Sequence, residues 1–277
     1  MIDPVILDYY DRSPEETRLG QGAFRLEEAR TRELIQRFAP RPPGVVLDVG
    51  GAAGPYALWL AELGHAVHLV DAVPRLVAEA RRRSDSASRP LASCEVGDAR
   101  ALAAPDRTAD LVLLLGPLYH LPEAEDRKVA LREAARVLRP GGWLLAAGIS
   151  RWASALDGLS RDLLGDPAFL AIVERDLQDG QHRNPTDRPD YFTTAYFHRP
   201  DELADEVRVA GLVPGGVYGI EGPGWMLQDI GARMGDPQRR ESFLRVARML
   251  ETEPSVIGCS AHLLAVGQRP REGGLPT

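Results

Sequence analysis

Apolar and polar positions along residues 44–148 follow a pattern that predicts strands and helices in alternation. Short, largely apolar runs occur where strands are expected, at residues 45–49, 66–71, 91–96, 109–115 and 143–149. Apolar residues at helical spacing lie between them, at residues 55–63, 74–83 and 123–138. The run at 109–115 is almost continuously apolar, which is typical of a strand covered on both faces. The alternation therefore predicts a parallel sheet with helices on both faces.

The flanking segments predict further elements. Residues 19–38 have helical spacing, and Pro40 marks the end of that helix. Residues 150–199 depart from the alternation, with helical patches, a proline-bearing loop and an aromatic string at 191–198. The elements predicted after them are a helix, two closing strands and a helical insertion between those strands, at residues 200–210, 212–220, 260–267 and 239–250.

Together these elements predict an α/β fold. It is a Rossmann-like, doubly wound and mostly parallel sheet with an antiparallel final strand, helices on both faces and a helical, aromatic cap. The expected parts are an N-terminal helical lid, the core, a cap insertion, the C-terminal part of the core and a disordered tail, at residues 1–40, 41–149, 150–199, 200–268 and 269–277.

Composition and charge narrow the function classes. The 277 residues carry a formal net charge of −7, which argues against a nucleic acid partner. No apolar run is long enough to span a membrane, and the N-terminus lacks the order of a signal peptide. Cys94 and Cys259 lie far apart without metal-ligand spacing, which indicates reduced thiols. We therefore expect a cytoplasmic protein with a small-molecule substrate and no metal or membrane partner.

The most informative segment is DVGGAAG at residues 48–54, which joins the first predicted strand to a predicted helix. Glycines at such a turn let a ligand approach the backbone, and the amides at the helix start suit a nucleotide-like ligand. The dinucleotide pattern GxGxxG and the phosphate-binding pattern ending in GK and Ser or Thr are both absent from this turn. The turn instead matches DxGxGxG with one change, because Ala52 stands at the central glycine.

With this turn the chain resembles the class I S-adenosylmethionine-dependent methyltransferases over residues 44–267. Four further segments at the expected places carry the resemblance: Asp71 at the end of the second strand, GDA at 97–99, GPLYH at 116–120 and RVLRPGG at 136–142. The resemblance implies S-adenosylmethionine as the cofactor.

The resemblance also implies roles for individual residues. Asp71 would bind the ribose hydroxyls, unless it is a helix N-cap, and Asp98 with Ala99 would meet the adenine, unless Asp98 is an ordinary loop carboxylate. The segment YYDR at residues 9–12 resembles the one that closes over the cofactor, and Tyr9, Tyr10 or Arg18 would meet the methionine carboxylate. The other residues expected to form the cofactor site are Asp48, Gly50, Gly51, Ala52, Gly54, Leu115 and Gly116.

Two residues after the fourth strand are candidates for catalysis. Methyl transfer from a sulfonium is an in-line displacement that depends on placing the acceptor beside the methyl group. A base helps a hydroxyl or an acidic carbon to attack, but a neutral amine does not need one. His120 is therefore predicted either as that base or as a residue that orders the loop through a backbone hydrogen bond. Tyr119 is predicted to shape the pocket or simply to be buried.

The cap supplies the candidates for substrate binding, because aromatic lids exclude water and bind flat or apolar molecules. The residues expected to bind substrate are Arg151, Trp152, Tyr191, Tyr196 and His198. Phe192 and Phe197 are explained equally well by core packing.

The prediction is thus a methyltransferase that uses S-adenosylmethionine to methylate a small molecule, in specialised metabolism. One alternative is an S-adenosylmethionine-binding protein with a non-methylating or regulatory role. Another is a methyltransferase of tRNA or protein, which the lack of an extended basic face disfavours.

Overall fold

The computed structural model describes residues 3–271, and its elements largely follow the predicted alternation. The strands are β1 (Val45–Val49), β2 (Ala66–Asp71), β3 (Ser93–Val96), β4 (Ala109–Leu114), β5 (Leu138–Ser150), β6 (Gln181–His182), β7 (Ala195–His198), β8 (Val213–Gly219) and β9 (His262–Gln268). The α-helices are α1 (Pro4–Arg12), α2 (Glu15–Arg18), α3 (Phe24–Phe38), α4 (Pro55–Glu62), α5 (Pro74–Asp85), α6 (Ala124–Val137), α7 (Ala153–Arg161), α8 (Pro167–Asp179), α9 (Pro200–Val209), α10 (Ile230–Gly235) and α11 (Pro237–Leu250). Short 3-10 helices occupy Leu118–His120, Pro189–Tyr191, Gly222–Met226 and Ile257–Cys259.

The sheet has the order β3-β2-β1-β4-β5, and these five strands are parallel. Strand β9 pairs antiparallel with both β5 and β8. This topology confirms the predicted fold class, including the antiparallel final strand. The carboxyl ends of β1 to β5 lie along one edge, which is where ligands bind in open sheets of this kind. Within residues 3–271, no helix is both long and apolar enough to cross a membrane.

Strand β4 joins the two layers of the core because its side chains alternate between the faces of the sheet. Leu111 and Leu113 pack in the cluster that includes Leu60 of α4. Val112 and Leu114 pack in the cluster on the other face, with helices α6 and α9. These four side chains of β4 are fully buried. Burying each of them stabilises the fold by roughly 1.5–3 kcal/mol, which fixes the central strands that position the site.

The N-terminal region differs from the predicted single helix over residues 19–38. The helix begins only at Phe24, because residues 20–22 form a turn in which Gly22 has a positive φ of 49°. Residues before the turn form α1 and α2 instead. Helix α1 begins after Asp3, whose side chain accepts a hydrogen bond from the amide of Val5.

The cap and the C-terminus also differ from the prediction. Part of the aromatic string assigned to the cap belongs to the sheet instead, because β7 pairs parallel with the last two residues of β5. The fifth strand begins at Leu138 rather than Trp143. Arg269, assigned to the tail, donates hydrogen bonds to the carbonyl groups of Ala135, Arg136 and Leu138. The predicted tail residues 272–277 lie outside the described residues.

Candidate active site

The turn after β1 brings backbone, rather than side chains, to the carboxyl edge of the sheet. Gly50 and Gly54 have φ values of 75° and 80°, in the left-handed region that favours glycine. A Cβ at Gly50 would lie 2.3 Å from Cδ of Pro117, in the loop after β4. The glycine is therefore required both by the conformation and by the close approach of two loops. Ala52 has φ 48° although it carries a side chain, and so holds a strained conformation.

Asp71 connects this turn to the end of β2. Its Oδ2 accepts a hydrogen bond of 2.8 Å from the amide of Ala52, and its Oδ1 accepts one of 2.8 Å from the amide of Val73. Burial raises the pKa of Asp71, while these two amide hydrogen bonds act to lower it. Each carboxylate oxygen keeps a second lone pair. Asp71 can therefore fix the turn and still accept two hydrogen bonds from a ligand.

Asp48, the next carboxylate along this edge, is buried, and one of its two oxygen atoms lacks a hydrogen-bond partner. Its side chain is 1% exposed, and Oδ2 has no hydrogen-bond partner among the described residues. Burial, together with the nearby Asp71, raises the pKa of Asp48 to about 7. A buried acceptor of this kind is costly when unpaired, so Asp48 favours a ligand that brings a donor or a positive charge.

Asp98, after β3, differs because its carboxylate is already engaged. Arg100 donates to both of its oxygens, at 3.0 Å from Nε and 2.6 Å from Nη2. This pairing lowers the pKa of Asp98 to about 2. Arg100 also donates to Asp126. The carboxylate is ionised and fixed in place.

The ends of the strands and the N-terminal helices enclose a cavity with about 1170 Å³ of empty volume, part of it open to solvent. We call it the first cavity; its lining includes Tyr10, Arg18, Glu27, Asp48, Gly50, Ala52, Asp71, Ala99, Gly116 and His120. All the residues predicted for the cofactor site line this cavity except Tyr9 and Gly54, of which Gly54 is the N-cap of α4. The two predicted catalytic residues, Tyr119 and His120, line it as well.

The ring of His120 is held at both nitrogen atoms. Nδ1 lies 3.2 Å from the carbonyl oxygen of Thr194, which can only accept, so Nδ1 carries the hydrogen. Nε2 then accepts a hydrogen bond of 2.7 Å from the hydroxyl of Tyr10. Burial lowers the pKa of His120 to about 4, so the ring is neutral near pH 7. Burial also raises the pKa of Tyr119 above its ordinary value, which keeps its hydroxyl protonated.

Arg75 fixes the N-terminal segment over the first cavity. Its Nη2 donates to the carbonyl groups of Tyr10 and Ser13, at 2.7 and 2.9 Å. Its Nη1 donates to the carboxylate of Glu16 at 3.1 Å. One side chain of α5 therefore holds three points of the segment, and the segment covers the cavity that α5 flanks.

A second cavity adjoins the first and encloses about 920 Å³ of empty volume, part of it open to solvent. Both cavities are lined by Tyr10, Glu15, Arg18, Tyr119 and His262. The rest of the second cavity is largely aromatic, and includes Tyr9, Phe24, Phe169, Tyr191, Phe192, Phe197 and Trp225. The shared residues make the two cavities neighbouring parts of one site.

Phe192 is held in an unusual backbone conformation in the wall of the second cavity. Its φ of 67° and ψ of −169° are sparsely populated for any residue with a side chain. Its ring contacts the rings of Tyr9 and His120, with centroids 5.6 and 5.7 Å apart. Such strain is retained where the surrounding structure or a function requires it.

The other predicted substrate residues are distributed differently. Tyr191 lines the second cavity, although its hydroxyl is engaged by Asp166. The prediction that Arg151, Trp152, Tyr196 and His198 surround the substrate is not supported, because none of them lines either cavity.

The reason is that these side chains hold the cap to the sheet. Arg151 is 3% exposed and donates to the carbonyl of Phe197, the hydroxyl of Tyr196 and the carboxylate of Glu202. His198 is fully buried against Glu206. Trp152 packs closely against Gly258. A Cβ added at Gly258 would lie only 2.5 Å from the ring of Trp152.

Sequence reasoning missed the charged cluster between the two cavities. Glu27, Glu221 and His262 bring polar atoms within 4.8 Å of one another. Glu27 is paired with Arg18, and His262 is paired with Glu221. These residues come from α3, from the start of a 3-10 helix and from β9, so no local pattern in the sequence marks them as neighbours.

Comparisons with known proteins agree with the site. A family model described as a methyltransferase domain matches residues 47–146. The chain is 30% identical over 207 residues to a ubiquinone/menaquinone biosynthesis C-methyltransferase, UbiE, of Acidiphilium cryptum; the match covers 71% of this chain and 79% of that protein.

Solved structures share the fold. A SAM-dependent methyltransferase from Methanosarcina mazei has a TM-score of 0.58 and 17% identity, over 86% of this chain and 98% of its own. The [4+2]-cyclase SpnF has a TM-score of 0.56 and 15% identity, over 88% of this chain and 81% of its own. The domain match across the glycine turn and the relative covered over more than two thirds of its length lead to one conclusion: the chain belongs to the class I S-adenosylmethionine-dependent methyltransferases.

Proposed function

We propose that this methyltransferase binds its cofactor in the first cavity and methylates a small molecule held in the second. The observation that carries the proposal is that the two cavities adjoin through five shared residues. Because direct displacement needs the acceptor and the methyl group side by side, a donor site and an acceptor site must open onto one another. When bound, S-adenosylmethionine supplies an electrophilic methyl group on a sulfonium.

The residues of the first cavity fit this cofactor. Asp71 keeps lone pairs for the two ribose hydroxyls, and the unpartnered Oδ2 of Asp48 suits a positively charged amino group, reached through water. Of the residues predicted for the methionine carboxylate, we assign Arg18, because the only hydroxyl hydrogen of Tyr10 is already donated to His120. The residues assigned to adenine or to backbone contacts are Asp98, Ala99, Gly50, Gly51, Ala52, Leu115 and Gly116.

We assign His120 and Tyr119 to positioning rather than to proton removal. Of the two roles predicted for His120, the contact with the carbonyl of Thr194 favours ordering of the loop. Its Nε2 already accepts from Tyr10, and its lowered pKa makes it a weak base near pH 7. The hydroxyl of Tyr10 therefore has a fixed direction at the junction of the cavities. Tyr119, which lines both cavities, stays protonated there and can hydrogen bond to an acceptor.

A small-molecule acceptor is favoured by the size and lining of the second cavity. Its aromatic side chains exclude water and suit a flat or apolar molecule. The net charge of −7 disfavours a nucleic acid. Cys94 and Cys259 are both free thiols, which suits the reducing cytoplasm that we propose as the location.

The proposal is tested by measuring release of S-adenosylhomocysteine from S-adenosylmethionine in the presence of a panel of aromatic acceptors. We expect release that depends on an acceptor and is lost in Asp71→Ala, which removes the hydrogen bonds to the amide of Ala52 in the turn and to the amide of Val73 after β2. Gly165→Ala is the matched control, because a Cβ there meets nothing within 4 Å. Tight cofactor binding without release for any acceptor, or acceptor-dependent release undiminished in Asp71→Ala, would contradict the proposal and favour a non-methylating role.

A further inference from the structure

A buried group of charges lies at the junction of the two cavities, and only one of its members, Arg18, has a role in the function proposed above. We call it the junction cluster, and it consists of Arg18, Glu27, Glu221 and His262. Arg18 donates to both oxygens of Glu27, at 2.7 and 3.1 Å. Nδ1 of His262 donates to Oε1 of Glu221 at 2.6 Å. His262 is the member of the second pair that lines both cavities.

The carboxylate of Glu221 is held in place by hydrogen bonds, and in that position it orients the ring of His262. It is 3% exposed, and its Oε2 accepts from the hydroxyl of Ser260 at 2.7 Å and from the backbone amide of His262 at 3.0 Å. Because the carboxylate accepts from Nδ1, the atom of the ring left for the cavities is Nε2. No hydrogen bond is recorded at Nε2 within residues 3–271, and the side chain of His262 is 20% exposed.

The charges around His262 favour its protonated form. Burial acts to lower its pKa, but Glu221 and Glu27 outweigh burial and the opposing Arg18, and raise the pKa to about 9. Near pH 7 the ring therefore carries a positive charge, and Nε2 presents a hydrogen-bond donor. Arg18 differs, since three of its five N–H groups already donate to Glu15 or Glu27, and the other two are assigned to the methionine carboxylate.

We propose that His262 binds an anionic oxygen of the acceptor, so that the enzyme takes flat aromatic molecules bearing a carboxylate, phenolate or enolate. The inference rests on the proposed function, because it assigns the second cavity to the acceptor. The carboxylates that line that cavity have their own partners. Glu15 is paired with Arg18, and Asp157 and Asp190 are both paired with Arg161. An acceptor bound as its anion needs no base, which agrees with the neutral and occupied ring of His120.

The test compares two probes of one shape, 2-naphthoate and its neutral amide, by calorimetry on the full chain saturated with S-adenosylhomocysteine. A charge-assisted hydrogen bond contributes enough to favour the anion by about tenfold or more. We expect this preference at pH 7 in the unmodified protein and in the control His68→Asn, whose residue lies on β2 outside both cavities. We expect the preference for the anion to be lost in His262→Asn.

Measuring the affinity of the unmodified protein for naphthoate at several pH values tests the same assignment without a variant. The charge of naphthoate is constant above pH 7, so its affinity should fall as the pH passes about 9, where His262 loses its proton. The affinity of the amide should stay constant. Equal affinities at pH 7, or a preference that survives in His262→Asn, would overturn the assignment.

A metal ion is the competing explanation, because Glu27, Glu221 and His262 are grouped closely enough to hold one. We expect EDTA to leave the preference for the anion unchanged. Loss of that preference on chelation would overturn the role of His262. Failure of S-adenosylhomocysteine to bind would contradict the proposed function and this inference with it. Normal binding of S-adenosylhomocysteine with no preference for the anion would overturn this inference alone.

Discussion

The two cavities are built in different ways. The wall of the first comes largely from turns at the ends of parallel strands. Backbone conformation and the carboxylates of Asp48, Asp71 and Asp98 set its geometry. The wall of the second comes from distant parts of the chain, including α1, the cap and the segment around Trp225. The first is therefore sensitive to changes in the backbone and the second to changes in side chains. The difference suggests that binding of the cofactor and choice of the acceptor can be altered separately.

The strongest test of this difference is Gly50→Ala. The new Cβ would lie 2.3 Å from Cδ of Pro117 on a backbone with φ 75°. Left-handed strain and overpacking together should cost about 2–5 kcal/mol. We expect lower stability in urea unfolding and loss of cofactor binding in calorimetry. Gly165→Ala, which has open space, should change neither. Unchanged affinity in Gly50→Ala would mean that the turn does not define the cofactor site.

Asp71→Ala tests the second support of the first cavity. Removing the carboxylate leaves the amides of Ala52 and Val73 unpaired and deletes the acceptors that we assign to the ribose. We expect cofactor affinity to fall by about 100-fold, since hydrogen bonds to a charged group contribute roughly 1.5–3 kcal/mol each.

Asp98→Asn serves as the comparison, because the carboxylate of Asp98 is already engaged by Arg100. We expect it to reduce cofactor affinity less than Asp71→Ala does. An equal or larger loss would show that Asp98, rather than Asp71, is the main acidic contact.

The two histidines at the site predict opposite effects of pH on stability. His120 has a folded pKa of about 4, below the ordinary 6.5, so its contribution is present above pH 6.5 and is lost as the pH falls toward 4. Lowering the pH from 7 to 5 should cost about 2 kcal/mol from this residue. His262 has a folded pKa of about 9, so its contribution is present below pH 6.5 and is lost as the pH rises toward 9.

Urea unfolding at pH 5, 7 and 9 measures both effects. We expect His120→Asn to flatten the acidic side of the stability profile and His262→Asn to flatten the alkaline side. The same acid sensitivity in His120→Asn as in the unmodified protein would contradict the assignment of a buried, neutral ring.

Phe192→Ala is expected to alter the second cavity alone. The substitution removes the ring that packs against Tyr9 and His120. We expect kcat/KM for an acceptor to fall about tenfold, because lost packing at the site loosens the alignment that transfer requires. Affinity for the cofactor should stay within about twofold, because Phe192 does not line the first cavity. A larger loss in cofactor affinity than in kcat/KM would break the proposed separation of the two cavities.

The smallest expected effect is that of Ala52→Gly. Relief of left-handed strain contributes about 1–2 kcal/mol, and the added freedom of the unfolded chain opposes it by about 0.5–1 kcal/mol. We therefore expect a slightly more stable protein in urea unfolding. Ala53→Gly is the matched control, since Ala53 is buried beside it without a positive φ. The control should be destabilised, and a stabilised control would show that strain at Ala52 is not the cause.

The sequence predicted the sheet and the first cavity because their signals are local. An apolar strand, a small-residue turn and an acidic residue at the next strand end lie within short segments, and the parallel topology brings those ends to one edge. The motif also marked Ala52 as its one departure from glycine, and this residue has a positive φ of 48°.

The second cavity could not be predicted in the same way. Arg151 and His198 looked like free polar groups in a cap, but their partners Glu202 and Glu206 lie on α9, and nothing in the sequence pairs them. Glu27 has the spacing of a surface charge on α3, and only the fold places it near His262. Contacts between distant segments determine this part of the site.

The most direct test of the central claim is a crystal structure with S-adenosylhomocysteine bound. We predict that its ribose meets Asp71 and that its sulfur faces the second cavity, past Tyr10 and Tyr119. A sulfur atom directed away from that cavity, or separated from it by a closed wall of side chains, would contradict the assignment of the two cavities to donor and acceptor.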